Sequence, residues 1–267
     1  MTSTRAEQPT PDYVPGHDLL AGKVVVVTAA AGAGIGAAVV RRALEEGAKG
    51  VVFGDTHERR LAEAQQALAD EYGADRVRSL VCDVTDEAQV SALLDAADEL
   101  GGVDVMVNNA GLGGTATITE MTDEEWSRVL DITLTGTFRC VRAAGNRMIA
   151  AGTRGVIVNN ASVIGWRAQE GQAHYAAAKA GVMALTRCAA LDLAPHGIRV
   201  NAVSPSLAMH PFLAKVTSDE LLAELKQREA FGRAAEPWEV ANVMVFLASG
   251  YSSYLTGEVI SVSSQRA

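Results

Sequence analysis

The sequence predicts an α/β fold, a single doubly wound parallel sheet with helices on both faces. Three observations carry that expectation. Short, mostly β-branched apolar runs recur along the chain, beginning with Val24-Val25-Val26-Val27, as parallel strands buried on both sides require. Segments of helix length and composition separate these runs, which implies right-handed crossovers. A glycine-rich turn at 32–36 follows the first run directly and opens the first helix.

Residues 1–21, with Pro9, Pro11, Pro15 and Gly16, read as an extended N-terminal arm, and residues 22–267 as one domain. Strands are expected at Val24–Val27, Gly50–Gly54, Val77–Cys82, Val103–Val107, Gly155–Asn160, Ile198–Val203 and Glu258–Val262. Helices fall at Ala37–Glu46, Glu58–Tyr72 and Asp86–Leu100, the last with Thr85 as N-cap. A long helix is expected over Asp123–Ala150, its Thr122 and Glu125 forming a capping box. Another covers Ala173–Leu193 and stops at Pro195-His196-Gly197. Residues 207–232 read as a mobile helical excursion, and Pro237–Ser249 as a helix with proline in its first turn.

The chain has 267 residues, 48% of them hydrophobic, enough for a sizeable core without staples. A net charge of −9 argues against a nucleic-acid partner gripped through phosphates. Cys82, Cys140 and Cys188 are widely spaced and read as buried thiols in a reducing compartment; no metal site is expected. No apolar run reaches membrane-spanning length and no signal-peptide core is visible, so the expected location is the cytoplasm.

The glycines Gly32, Gly34 and Gly36 lie between a strand and a helix, where backbone approaches a pyrophosphate at the positive helix N-terminus. This is the Rossmann-like arrangement. Asp55 ends the second strand, where a carboxylate accepts the ribose hydroxyls of NAD and repels a 2′-phosphate, so NAD is favoured over NADP. Asp83 reads as an adenine-edge contact, with an ordinary helix-entry residue close behind as the alternative. Asn108-Asn109-Ala110-Gly111 follows the fourth strand at the sheet's carboxyl edge and reads as a cofactor wall.

Tyr175 and Lys179 stand one helical turn apart in Ala173-His174-Tyr175-Ala176-Ala177-Ala178-Lys179. A neighbouring ammonium favours the phenolate, and a tyrosine so tuned exchanges protons with an alcohol or ketone. The pair alone is read as well by an interfacial tyrosine beside a solvated lysine. His174 points off that face and reads as packing or interface.

Taken together, the glycine turn, Asn108-Asn109-Ala110-Gly111, Ser162, Tyr175 and Lys179 resemble the classical short-chain dehydrogenase/reductase family, from about Gly22 to Val262. The resemblance implies that Ser162 orients the substrate oxygen, Tyr175 is the acid/base, and Lys179 binds the nicotinamide ribose and lowers the tyrosine pKa. It extends the cofactor contacts to Ile35, Val84, Pro205 and Ser206, and implies a homotetramer or homodimer. Thr133 replaces the usual asparagine of the proton relay, Ser206 replaces a glycine, and His210 stands at a usual threonine. The first glycine of the opening turn is also replaced, within an alanine run.

Asn159–Gln169 and Phe231–Glu239 further resemble an actinobacterial subgroup of steroid breakdown, which acts on a methyl-bearing indane carboxyl-CoA. Ile164, Trp166, Leu207, Met209 and Phe212 are then the candidate apolar substrate wall, with Arg167 and Lys215 as candidate contacts for CoA phosphates. The rival readings are a 3-oxoacyl thioester reductase, a polyol dehydrogenase and a non-catalytic dinucleotide sensor.

Overall fold

Val24–Thr28 (β1) is buried along its whole length, the environment that four consecutive valines demand. The computed structural model describes residues 6–209 and 219–265. After β1 the order is α1 (Ile35–Glu45), β2 (Gly50–Asp55), α2 (Glu58–Tyr72), β3 (Val77–Val81), α3 (Glu87–Leu100) and β4 (Val105–Asn108). The second half runs α4 (Asp123–Leu130), a π-turn (Asp131–Thr135), α5 (Gly136–Ala151), β5 (Val156–Asn160) and α6 (Ala173–Leu193). It closes with β6 (Arg199–Pro205), α7 (Asp219–Arg228), α8 (Pro237–Ala248) and β7 (Val259–Val262).

The seven strands form one sheet in the order β3-β2-β1-β4-β5-β6-β7, every pair parallel. Val25 and Val27 face a core shared with α1, α2 and α8, whereas Val24 and Val26 face α3, α5 and α6. Winding reverses between β1 and β4, and the crevice at their carboxyl ends is where ligands of such sheets bind.

Two expected helices differ in detail. Asp86, not Thr85, caps α3: its side chain accepts from the Ala88 and Gln89 amides, while the Thr85 hydroxyl donates to Asp83. The expected helix over Asp123–Ala150 is capped as anticipated but broken by the π-turn, which leaves the periodicity of the sequence almost unchanged. Cys82 and Cys140 are buried, but Cys188 is exposed, sharing an outer stripe of α6 with Ala184 and Leu191. Among the described residues, no helix is long and apolar enough to cross a membrane.

The N-terminal arm docks along α1 and α8. The Tyr13 ring meets Trp238 edge-on at 5.3 Å. Glu46, wholly buried, accepts from the His17 and Leu19 amides at 2.7 and 3.0 Å and from Arg42 at 2.5 Å. Burial opposes the Glu46 charge, but the two amides and the Arg42 guanidinium outweigh it and hold the carboxyl below its usual range. Glu46→Ala would strand the buried Arg42 charge and two arm amides, and is expected to destabilise the protein by about 3 kcal/mol in urea unfolding. A loss below about 1 kcal/mol would show that the arm does not depend on this carboxylate.

Candidate active site

The glycine turn begins with Thr28, whose Oγ1 accepts from both the Asn109 and Ala110 amides at 3.0 Å and so ties β1 to the end of β4. Ala29 follows with φ of 53°, the left-handed conformation that glycine supplies more cheaply. Its carbonyl accepts from Asn109 Nδ2 at 3.0 Å, and its neighbour Ala30 donates to the Gly54 carbonyl. Gly36 must be glycine: a β-carbon there would lie 2.5 Å from the Ala29 oxygen and 2.6 Å from Asn109 Nδ2. Above Gly32, by contrast, space is open. Gly34 caps α1 without a side-chain partner, and Ile35 begins the helix.

Asp55 reaches back to this turn. Its Oδ2 accepts from the Ala31 amide at 3.1 Å, and its Oδ1 from the His57 amide at 3.0 Å. Arg59 pairs with Glu63 on exposed α2. Asp83 accepts from the Thr85 amide and hydroxyl and lines a cavity of about 590 Å³ with Thr85, Arg128, Asp131 and Ile132. Val84 is buried against Gly136. On the far side Pro205 ends β6 beside Val262, whose carbonyl accepts from the Ser206 amide.

The proton-handling groups converge at the carboxyl end of β5. Lys179 is 3% exposed; its Nζ donates to the Asn160 carbonyl at 2.5 Å and lies 5.6 Å from the centre of the Tyr175 ring. Burial lowers the Lys179 pKa to about 8. Tyr175 differs from the expectation of a depressed pKa. Burial pushes its phenol up, and the nearby Ser162 hydroxyl only partly pulls it back. Desolvation outweighs a charge that sits over the ring face rather than beside the hydroxyl.

Behind these groups runs a buried polar chain. Asn108 donates to Asn159 at 2.8 Å, Asn159 to Thr186 at 2.9 Å, and Thr186 to the Val182 carbonyl, which locks α6 against β4 and β5. Thr133 sits in the π-turn, fully buried, and takes both ends of one residue: its Oγ1 accepts from the Leu112 amide and donates to the Leu112 carbonyl. Gly111 lies beneath Lys179, where a β-carbon would be 3.3 Å from Nζ.

The arrangement fits a dinucleotide. Open space lies over the glycine turn, and Asn160 Oδ1 is a buried acceptor without a protein partner beside the Asn109 wall. Several neighbours escaped the sequence reading. Gly113 and Gly114 flank Tyr175 and His174, and His174 is buried with Nε2 close to Gly114. Their adjacent glycines were the available signal. Asn160 gave none, since its role rests on a strand end. Trp166 is half-exposed, and Arg167 donates to Gln265. His210, Phe212 and Lys215 lie outside the described residues.

A family model described as enoyl-(acyl carrier protein) reductase matches residues 29–264. The chain is 62% identical over 256 residues to a (5R,7aS)-5-hydroxy-7a-methyl-1-oxo-2,3,5,6,7,7a-hexahydro-1H-indene-carboxyl-CoA reductase of Mycobacterium tuberculosis, covering 96% of this chain and 97% of that protein. A 3-alpha-(or 20-beta)-hydroxysteroid dehydrogenase of the same organism is 44% identical over 239 residues, 89% of this chain and 86% of that one. The crystal structure of a short chain dehydrogenase from Mycobacterium smegmatis superposes with a TM-score of 0.85 at 56% identity, covering 97% and 99% of the two chains. Matches that run from the glycine turn to the tail after β7 place the chain in the short-chain dehydrogenase/reductase family, oxidoreductases that act on CH–OH groups with a nicotinamide dinucleotide.

Proposed function

We propose that this enzyme interconverts a secondary alcohol and a ketone on a bulky bicyclic CoA thioester derived from steroid rings, with NAD as cofactor. One observation carries the chemistry: a buried Lys179 over the Tyr175 ring, with Ser162 near enough to the phenol to lower its pKa. Ser162 holds the substrate oxygen. Tyr175 gives that oxygen a proton in reduction and removes it in oxidation, while Lys179 holds the nicotinamide ribose. A bound nicotinamide ring supplies or accepts the hydride. The substrate class rests on the indene-carboxyl-CoA reductase, at 62% identity, and on the apolar surface at Ile164, Trp166, Leu207 and Met209.

Gly32, Gly34, Ile35, Gly36 and Asn109–Gly111 would cradle the cofactor, with Asp55 at the adenosine ribose. A carboxylate there disfavours a 2′-phosphate, and Arg59 is engaged by Glu63. Asp83, Val84, Pro205 and Ser206 would complete the contacts, Val84 through its backbone. The outer stripe of Ala184, Cys188 and Leu191, with Phe138 on α5, suits helix pairing between subunits in a dimer or tetramer. The proposed location is the cytoplasm.

Tyr175→Phe is expected to cut kcat by about 10³-fold while NADH affinity, read by fluorescence titration, stays within about twofold. Retained turnover would remove Tyr175 from the chemistry. Asp55→Ala should shift the NADP to NAD ratio of kcat/KM upward by about tenfold, one lost charge–charge penalty. An unaltered ratio would place the ribose elsewhere. Reduction needs the protonated phenol and oxidation the phenolate. With the Tyr175 pKa raised above its ordinary value, reduction should stay level through neutral pH, while oxidation keeps climbing far into the alkaline range. An oxidation profile already flat at neutral pH would contradict the raised pKa. Turnover of 3-oxoacyl thioesters or polyols, with none of the indene-carboxyl-CoA compound, would overturn the substrate reading.

A further inference from the structure

Glu229 is a carboxylate 1% exposed that the proton transfer does not use. It follows α7 and faces two separate pieces of chain, the start of the 207–209 segment and the C-terminal residues Ser264 and Gln265. Its Oε1 accepts from the Leu207 amide at 3.4 Å and from Gln265 Nε2 at 2.7 Å, and its Oε2 from the Ser264 hydroxyl at 2.7 Å. Gln265 in turn takes a hydrogen bond from Arg167, on the loop that follows Ser162. The Ala230 amide adds a backbone bond to the Ser264 carbonyl at 3.0 Å. A cavity of about 160 Å³ opens alongside, lined by Ser206, Glu229, Phe231 and Ser264.

The pieces so joined are both sides of the substrate region. Leu207 begins the excursion that leaves β6, and Glu229 stands where that excursion returns. Arg167 belongs to the wall next to Ser162. An apolar side chain would fill the Glu229 position without the cost of desolvating a carboxylate. What the carboxylate adds is direction: donors from two distant parts of the chain, Leu207 and the Ser264-Gln265 pair, must meet it at fixed angles.

We infer that Glu229 is a positioning residue for substrate specificity, holding the 207–209 wall, the end of α7 and, through the C-terminal residues Ser264 and Gln265, the Ser162 loop in one register. It acts on substrate geometry and touches neither the reacting atoms nor the cofactor. The chain's own C-terminal tail is thereby a working part of the substrate site. This goes beyond the proposed activity and does not depend on which alcohol is turned over.

The test uses the full chain with NADH. In Glu229→Ala, and in a chain ending at Ser263, amide hydrogen exchange should accelerate at Leu207–Met209 and at 219–231 and stay unchanged in α6. With the indene-carboxyl-CoA compound as probe, both variants should raise KM about tenfold, with kcat within about threefold and NADH affinity unaltered, as for one or two lost hydrogen bonds. Glu229→Gln should bring KM back to within about twofold, because its amide oxygen still accepts from Leu207 and Gln265 and its NH₂ donates to Ser264. Unchanged exchange at Leu207–Met209, no recovery in Glu229→Gln, or a parallel loss of NADH affinity would overturn the inference. Exchange is read without substrate, so failure of the probe to turn over would count against the proposed substrate and leave the exchange result to decide the role of Glu229.

Discussion

A lysine deprived of water, with a backbone carbonyl as its recorded hydrogen-bond acceptor, is the constraint around which this site is built. Lys179 would be cheaper on the surface, and burial erodes its charge. It can stay only because β5 ends with the Asn160 carbonyl turned towards it and Gly111 leaves room beneath. Those conditions set requirements further out. The Asn159–Thr186 link fixes α6 to the sheet, and Thr133 grips Leu112 at both backbone ends, so the segment after Gly111 keeps its path. The place where the family's asparagine is missing is thus filled by a side chain that makes two backbone hydrogen bonds.

The nucleotide half obeys a second constraint, the meeting of two loops across the crevice between β1 and β4. Thr28 receives two amides from the opposite wall, Asn109 reaches back to the Ala29 carbonyl, and Asp55 holds Ala31. These bonds keep Ala29 in a conformation that costs an alanine on the order of 1 kcal/mol. The turn's shape is held by protein contacts of its own, which reduces the ordering cost of binding.

Much of this was legible in the residues because it is local or periodic. The valine runs announce buried parallel strands, and Tyr175 and Lys179 announce a shared helix face by spacing alone. What escaped is non-local. Nothing in the alternation of Asp123–Ala150 signals the π-turn, because one extra residue per turn barely alters an apolar pattern. Asp86 took the cap from Thr85 because both types cap well and only the backbone path chooses. Spacing likewise gave the proximity of Lys179 to Tyr175 but not the balance between charge and desolvation, which needs the depth of the pocket. Glu229 carries no local signal, because its partners lie on other elements.

The arm along α1 has a consequence for how the chain matures. Its inner contacts, His17 and Leu19 on Glu46, join neighbours that leave the ribosome close together. Its outer contact, the Gln8 amide on the Phe231 carbonyl, waits for the segment after α7 to be made. The arm is therefore half-secured early and finished late. That closure joins residues very far apart in sequence, the kind of contact that slows folding most. Until it forms, the Gln8 end of the arm lacks its anchor on the segment after α7.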